Sequence, residues 1–298
     1  MPLWPFKKKP TEPVLTINKN FYFSVLASSS HLPTLLQIIN PDGSNGALIG
    51  FGAPLSEGAS RDLLNQSLAT GAYVLSTKER STLVEMHVFQ KSQVQGFSLP
   101  SDSAVCDQAG LVGDKLKRAQ NAQYIINLVI KAFSPELYPS VRFYLDCAAR
   151  IALLTEGVIA DPLSELYRLP NEMNVAQKLD ERIDFREVAR VKLIRLEDGI
   201  WSSTRGLTKF NLPEFEMYGI PENLADIAAN MIASAGQQAL IGIPMKSGET
   251  AFAPDAPLTV FEGTKMRQEW ADRPTLEFRS DNGGVAKAVD AWKRFQGL

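Results

Sequence analysis

Residues 123–161 read QYIINLVIKAFSPELYPSVRFYLDCAARIALLTEGVIAD, and this stretch decides the fold class. Its opening, Gln123–Phe133, is rich in β-branched and apolar residues and reads as a strand closed by Ser134-Pro135. Pro139 stands where a helix begins, as its fixed φ allows. From there Val141, Tyr144, Leu145, Ala148, Ile151 and Ala152 recur at helical spacing and form one apolar stripe. Arg142, Asp146 and Arg150 lie four apart on another face and read as a solvated ladder. Gly157 stops the helix, and Val158–Asp161 is a second strand. Parallel strands joined by a helix imply a right-handed crossover.

Toward the C-terminus, Val188–Glu197 and Ile200–Arg205 flank Asp198-Gly199, the strongest short-range hairpin signal in the chain. A two-residue turn there sets Glu197 opposite Ile200 and Leu196 opposite Trp201. The apolar phase changes between Leu193 and Ile194, which points to a bulge. Residues 221–236 give a second helix, with Pro221 at its start and Gly236 near its end. Leu224, Ile227, Ala228, Met231, Ile232 and Ala235 make its buried stripe, and the alanines permit close approach to a sheet. Leu240–Pro244 returns as a strand, and Leu258–Phe261, Thr275–Phe278 and a helix over Val285–Phe295 extend the unit. The order β, α, β, hairpin, α, β matches a ferredoxin-like arrangement, two helices on one face of an antiparallel sheet.

Upstream, Val14–Asn18, Phe21–Ser28, Thr34–Ile39 and Ala47–Phe51 read as strands, with Asn40-Pro41-Asp42-Gly43 as a turn. Residues 56–69 read as a helix, and Tyr73–Ser76 and Thr82–Phe89 as two more strands. Ser, Asp and Gly accumulate over 98–121, with a helical end at Asp114–Asn121. The expectation is an α+β chain of two α/β-sandwich-like domains: a disordered tail over 1–12, a small α+β domain over 13–98, a linker over 99–121, and the ferredoxin-like domain with a C-terminal extension over 122–298.

At 298 residues, two modest domains suit the length, and 45% hydrophobic against 21% charged residues supplies a core and excludes wholesale disorder. Lys and Arg number 31 against 33 Asp and Glu, so the basic excess of a dedicated nucleic-acid binder is missing and no nucleic-acid partner is expected. No apolar run approaches the roughly 18 to 20 residues that span a bilayer. Trp4 and Phe6 precede Lys7, Lys8 and Lys9, the reverse of a secretory signal. Those five residues would make a weak membrane tether, but three prolines in the first ten residues break any amphipathic helix. Cys106 and Cys147 fit no metal or redox spacing. The cytoplasm is the expected compartment.

Catalytic groupings are sparse. His31 and His87 are the two histidines, and neither sits in a recognisable motif. No phosphate loop, dinucleotide fingerprint or G-x-S-x-G elbow occurs; Gly50-Phe51-Gly52 and Asn282-Gly283-Gly284 are incomplete. No metal or cofactor is therefore expected. Asp161 and Glu165 flank a strand end, yet no companion group assigns an acid and a base.

The most unusual segment is residues 202–217, SSTRGLTKFNLPEFEM, which reads as an irregular crossover between the hairpin and the second helix. Arg205 and Lys209 precede Glu214 and Glu216, with Phe210 and Phe215 between them. Thr204-Arg205-Gly206-Leu207, Phe210, Leu212-Pro213-Glu214 and the helix from Pro221 resemble uncharacterised bacterial proteins that carry a domain of unknown function. The resemblance spans roughly 120–245, including Gly157–Asp161, and leaves the first 100 residues outside. It implies a bacterial cytosolic origin and no particular reaction. The leading expectation is a non-catalytic binding or interaction protein, of an adaptor or immunity type, with an unknown protein partner. Arg205, Lys209, Phe210, Glu214, Phe215, Trp201 and Asp161 would carry its contacts, with Trp201 and Phe215 as anchors. A small-molecule enzyme using carboxylate or backbone groups is the alternative, and a membrane tether through the N-terminus a third.

Overall fold

Along Thr82–Gln90, Val84, Met86 and Val88 are buried on one side of the strand while Glu85 and His87 lie on the other. In this computed structural model residues 17–18, 20–40, 49–55, 64–132, 137–173, 183–252, 257–265, 273–280 and 284–296 are described. The first sheet contains β1 (Tyr22–Ala27), β2 (Gly50–Pro54), β3 (Gly71–Thr77), β4 (Thr82–Gln90), β5 (Tyr124–Ala132), β6 (Val158–Asp161) and β7 (Leu166–Arg168). Its order is β2-β3-β4-β5-β1-β6-β7, antiparallel at each pairing. The helices of this half are α1 (Leu35–Ile39), α2 (Ser103–Gln108), α3 (Gly113–Asn121) and α4 (Leu137–Leu154). α1 and α4 cover one face, and the apolar stripe of α4 packs there on β1, β5 and β6. α2 and α3 cover part of the opposite face, where Cys106, Leu111, Ala119 and Ala122 meet Leu26 and Ile125.

The second sheet follows α5 (Phe185–Val188) and contains β8 (Arg190–Leu196), β9 (Gly199–Arg205), β10 (Glu214–Ile220), β11 (Thr250–Ala251), β12 (Leu258–Glu262) and β13 (Thr275–Arg279). Its order is β11-β12-β13-β10-β9-β8, parallel between β10 and β13 and antiparallel elsewhere. α6 (Ala225–Leu240) lies on β8, β9 and β10, and α7 (Gly284–Gln296) packs beside it. Ala228, Ala235 and Ala239 of α6 are fully buried, so small side chains do bring this helix close to its sheet. No described helix is long and apolar enough to cross a membrane.

The chain is thus mixed α and β, but the strands are not shared out as a ferredoxin-like unit over 122–298. β5 pairs with β4 and β1, setting Ile126, Leu128 and Ile130 beside Val88, Met86 and Val84 in one apolar stripe. β5 and β6 do run parallel, with β1 inserted between them. The two striped helices consequently cover different sheets, α4 the first and α6 the second. The composition change over 99–121, read as a linker, holds α2 and α3 folded onto the back of the first sheet. The sheets part between β7 and β8.

Several local readings change as well. Residues 35–39 are a helix, because Thr34 and Gln37 form a capping box: Thr34 Oγ1 accepts from the Gln37 N–H at 3.1 Å and Gln37 Oε1 from the Thr34 N–H at 2.8 Å. The hairpin turn is Glu197-Asp198, with Leu196 opposite Gly199 and Ile194 opposite Trp201. Gly199 has φ +127°, and an added Cβ would stand 2.9 Å from the Ile220 carbonyl oxygen, so glycine serves a close approach to β10. The β8–β9 ladder is continuous; the irregularity lies in β10 between Met217 and Ile220. α6 continues past Gly236, whose missing side chain makes room for the Phe185 ring, and the strand read at Leu240–Pro244 does not form. The crossover read at 202–217 contains the end of β9 and the first four residues of β10. The expected tail over 1–12 and most of the helix over 56–69 lie outside the described residues.

Candidate functional site

Where β6 and β7 of the first sheet meet β8, β9 and the turn before β10, the chain buries charge. Asp161 ends β6, Glu165 sits in the turn to β7 with φ +54°, and Arg190 and Lys192 share one face of β8. Arg205 ends β9, and Lys209 lies in the short 3-10 turn Leu207–Phe210. Gly206, at φ +114°, lets that turn press on the β6–β7 turn; a Cβ there would run into Ser164 Oγ and the Val188 carbonyl.

Lys209 is wholly buried and donates to Asp161, to Ser164 Oγ at 2.7 Å and to the Val188 carbonyl. Its ammonium also lies 5.5 and 5.4 Å from the Phe21 and Phe23 ring centres. Burial pulls the Lys209 pKa below the ordinary lysine value, and Asp161 opposes that shift. All three ammonium protons have acceptors, while Ser164 Oγ donates to Val188 O at 3.1 Å. The serine hydroxyl thus accepts from the lysine and donates to the Val188 carbonyl, which ties the β6–β7 turn to the turn before β10.

Glu165 gathers three cations: Lys192 at 2.7 Å, Arg190 at 3.3 Å and Arg205 at 3.3 Å. Burial raises the Glu165 pKa, but Lys192, Arg205 and Arg190 outweigh it and hold the carboxyl below its usual value. Arg205 is fully buried, donates to Ser203 Oγ and the Thr204 carbonyl, and stands 5.5 Å from the Trp201 ring centre. Glu214 accepts from Thr204 Oγ1, the Gly206 N–H and the Thr208 N–H, which staples the turn to the start of β10.

A cavity of about 290 Å³ opens beside this seam. Pro100, Val105, Ala109, Pro162, Leu166 and Tyr167 give it apolar walls, and Asp161, Glu165, Arg190 and Lys192 supply charge along one side. Arg190 Nη1 donates to the Gln108 carbonyl at the end of α2, and its Nε is buried without an acceptor among the described residues.

The seven residues expected to carry surface contacts are all buried. Asp161, Arg205, Lys209 and Glu214 come together at the seam. Phe210 joins the core through an edge contact with Phe21 at 5.7 Å, Phe215 stacks on Phe278 at 5.5 Å, and Trp201 stacks on Tyr218 at 5.8 Å. Trp201 and Phe215 are 2% and 0% exposed, so neither is available as a surface anchor. The sequence reading left out Glu165, Arg190 and Lys192 as a set. Their alternation on β8 was legible, but their meeting with Glu165 depends on how the two sheets join.

A second polar group lies farther along the same face of the second sheet. Glu216 and Glu277 stand in register across β10 and β13. Tyr218 donates to Glu216 at 2.7 Å, and burial first, then Glu216, pushes the phenol up. Arg279 holds Glu277 through two hydrogen bonds of 2.7 Å.

Among the described residues no cluster of three or more His, Cys, Asp or Glu side chains could hold a metal ion. His31 and His87 do not line the cavity. Cys147 is wholly buried, and burial pushes its thiol far above the ordinary range. No family model matches the chain, and no curated protein or solved structure matches it either.

Proposed function

We propose that the protein is a non-catalytic binding module whose ligand enters the cavity between α2, the β6–β7 turn and β8. The supporting observation is how the charges on its wall are engaged. Three cations hold the Glu165 carboxyl below its usual value, and Asp161 is already taken up by the Lys209 ammonium, so these groups attract and orient a ligand rather than offering a free base. Apolar walls with a few convergent polar groups are the ordinary makeup of a small-ligand site, and the volume suits a compact ligand or one inserted side chain. A protein partner would use the same opening, by inserting a side chain or a chain end.

The test is ligand-observed NMR of the full chain with a set of neutral, anionic and cationic aromatic fragments. Val105 lines the cavity yet is half exposed, so Val105→Trp obstructs the opening without disturbing the core. Fragment signals present with the parent protein and lost with Val105→Trp are expected. Signals that persist unchanged in the variant would put binding elsewhere and end this reading.

A further inference from the structure

Within the connected seam, four cations, Arg190, Lys192, Arg205 and Lys209, face two carboxylates, Asp161 and Glu165. The surplus is two positive charges among the described residues. Extending outward adds Arg168 and Lys115 on one side and Glu172, Glu187 and Glu214 on the other, which leaves one net positive charge, while within the seam the four cations still outnumber the two carboxylates. Two of the four cations line the cavity, and both have most of their side chains out of water, Arg190 at 13% and Lys192 at 20% exposure. Charge held this way is weakly screened, so it favours an anion and disfavours a cation.

Resting on the binding reading above, we infer that the cavity takes an organic acid: an apolar body against Pro100, Val105, Leu166 and Tyr167, ending in a carboxylate that meets Lys192 and Arg190. Among the described lining residues, Gln108 and Tyr167 are the other ones with polar side chains. Among the described residues the Lys192 ammonium has Glu165 as its one hydrogen-bonded partner and so retains donor capacity, while Arg190, whose Nε is buried, contributes its charge. Glu165 occupies part of that donor field and acts as a built-in competitor, holding the cations in place while the cavity is empty. The volume is about twice that of an engineered cavity of about 150 Å³ that holds benzene, which matches a ring with a short acidic side chain.

The probe is 3-phenylpropionate, compared with the neutral and nearly isosteric 3-phenylpropanamide, on the full chain by titration NMR or calorimetry. The acid is expected to bind at least about tenfold tighter than the amide, the worth of one charge-assisted hydrogen bond. Lys192→Met should erase that preference while leaving the amide affinity within about twofold. Glu165→Gln should do the reverse: with the competing carboxylate gone, the acid binds tighter and the amide is unmoved, an outcome that loss of structure would not produce. Equal affinities for acid and amide, both abolished by Val105→Trp, would overturn the acid assignment and keep the binding site. No binding of either probe, together with no response of any fragment to Val105→Trp, would overturn both.

Discussion

One face of the first sheet and one face of the second bury opposite kinds of surface. On the first, the side facing α1 and α4 closes over Phe23, Val25, Val84, Met86, Val88, Ile126, Leu128 and Ile130. On the second, the side turned away from α6 closes over Ser203, Arg205, Glu214, Glu216 and Glu277. Apolar burial is non-directional and tolerates small changes of shape, whereas buried charge is tolerable only when each group meets its partner. The first sheet is therefore held mainly by volume. The second keeps an apolar face under α6, with Phe215, Met217 and Phe278, and a paired face on its other side, and the seam between the sheets inherits the stricter requirement.

The largest separation between these regimes is expected at Asp161. Asp161→Ala leaves Lys209 buried without its counter-ion and should cost about 3–5 kcal/mol in urea unfolding. The double variant Asp161→Leu with Lys209→Met removes both charges at similar volume and should recover most of that loss. A single variant as stable as the parent would mean that the seam is wet and the pair exposed.

Ile126 gives the matching experiment on the apolar side. It is wholly buried on β5, and Ile126→Val removes one methylene with no partner left stranded. The expected cost is about 0.5–1.5 kcal/mol, with no rescue by any second substitution of charge. A loss as large as that of Asp161→Ala would show that volume at the first sheet is as unforgiving as pairing at the seam.

The same contrast explains what the sequence revealed. The stripes of α4 and α6 were legible because burial against an apolar surface leaves a period in the sequence, and Val141 through Ala152 carries it. Which sheet each stripe meets was not legible. β5 finds its neighbours β1 and β4 through long-range hydrogen bonding, and a run of Ile and Val can pair with either half of the chain. β10 was missed although Glu214-Phe215-Glu216-Met217 alternates with a strand's period of two. Glu214 was expected to carry contacts on a loop, whereas it and Glu216 are both buried. Asp161, Arg205, Lys209 and Glu214 were singled out as unusual and do share one site, but as the interior of a junction rather than a surface loop. Glu165 lies 25 and 27 positions from Arg190 and Lys192, and only the joining of two sheets makes them neighbours.

Glu165 also offers the smallest and most diagnostic test, because it stands between the two regimes: charged and paired, yet 22% exposed at the side chain. Its three cations lower its pKa in the folded chain below the ordinary 4.5, against the opposing effect of burial. A carboxyl with a depressed folded pKa adds stability that is fully present above its unfolded pKa and is lost as pH falls through the folded value. The parent should therefore exceed Glu165→Gln in urea midpoint by a constant margin above about pH 5, where the unfolded carboxyl is ionised as well. That margin should shrink as pH falls below about 4.5, where the unfolded carboxyl takes up its proton first, and level off once the folded carboxyl is protonated as well. Partial exposure screens the pairing, so the margin is expected to be well below the Asp161→Ala loss. A margin independent of pH down to 3 would assign the contribution of Glu165 to packing alone, and the seam would then be polar in composition but not held together by its charges.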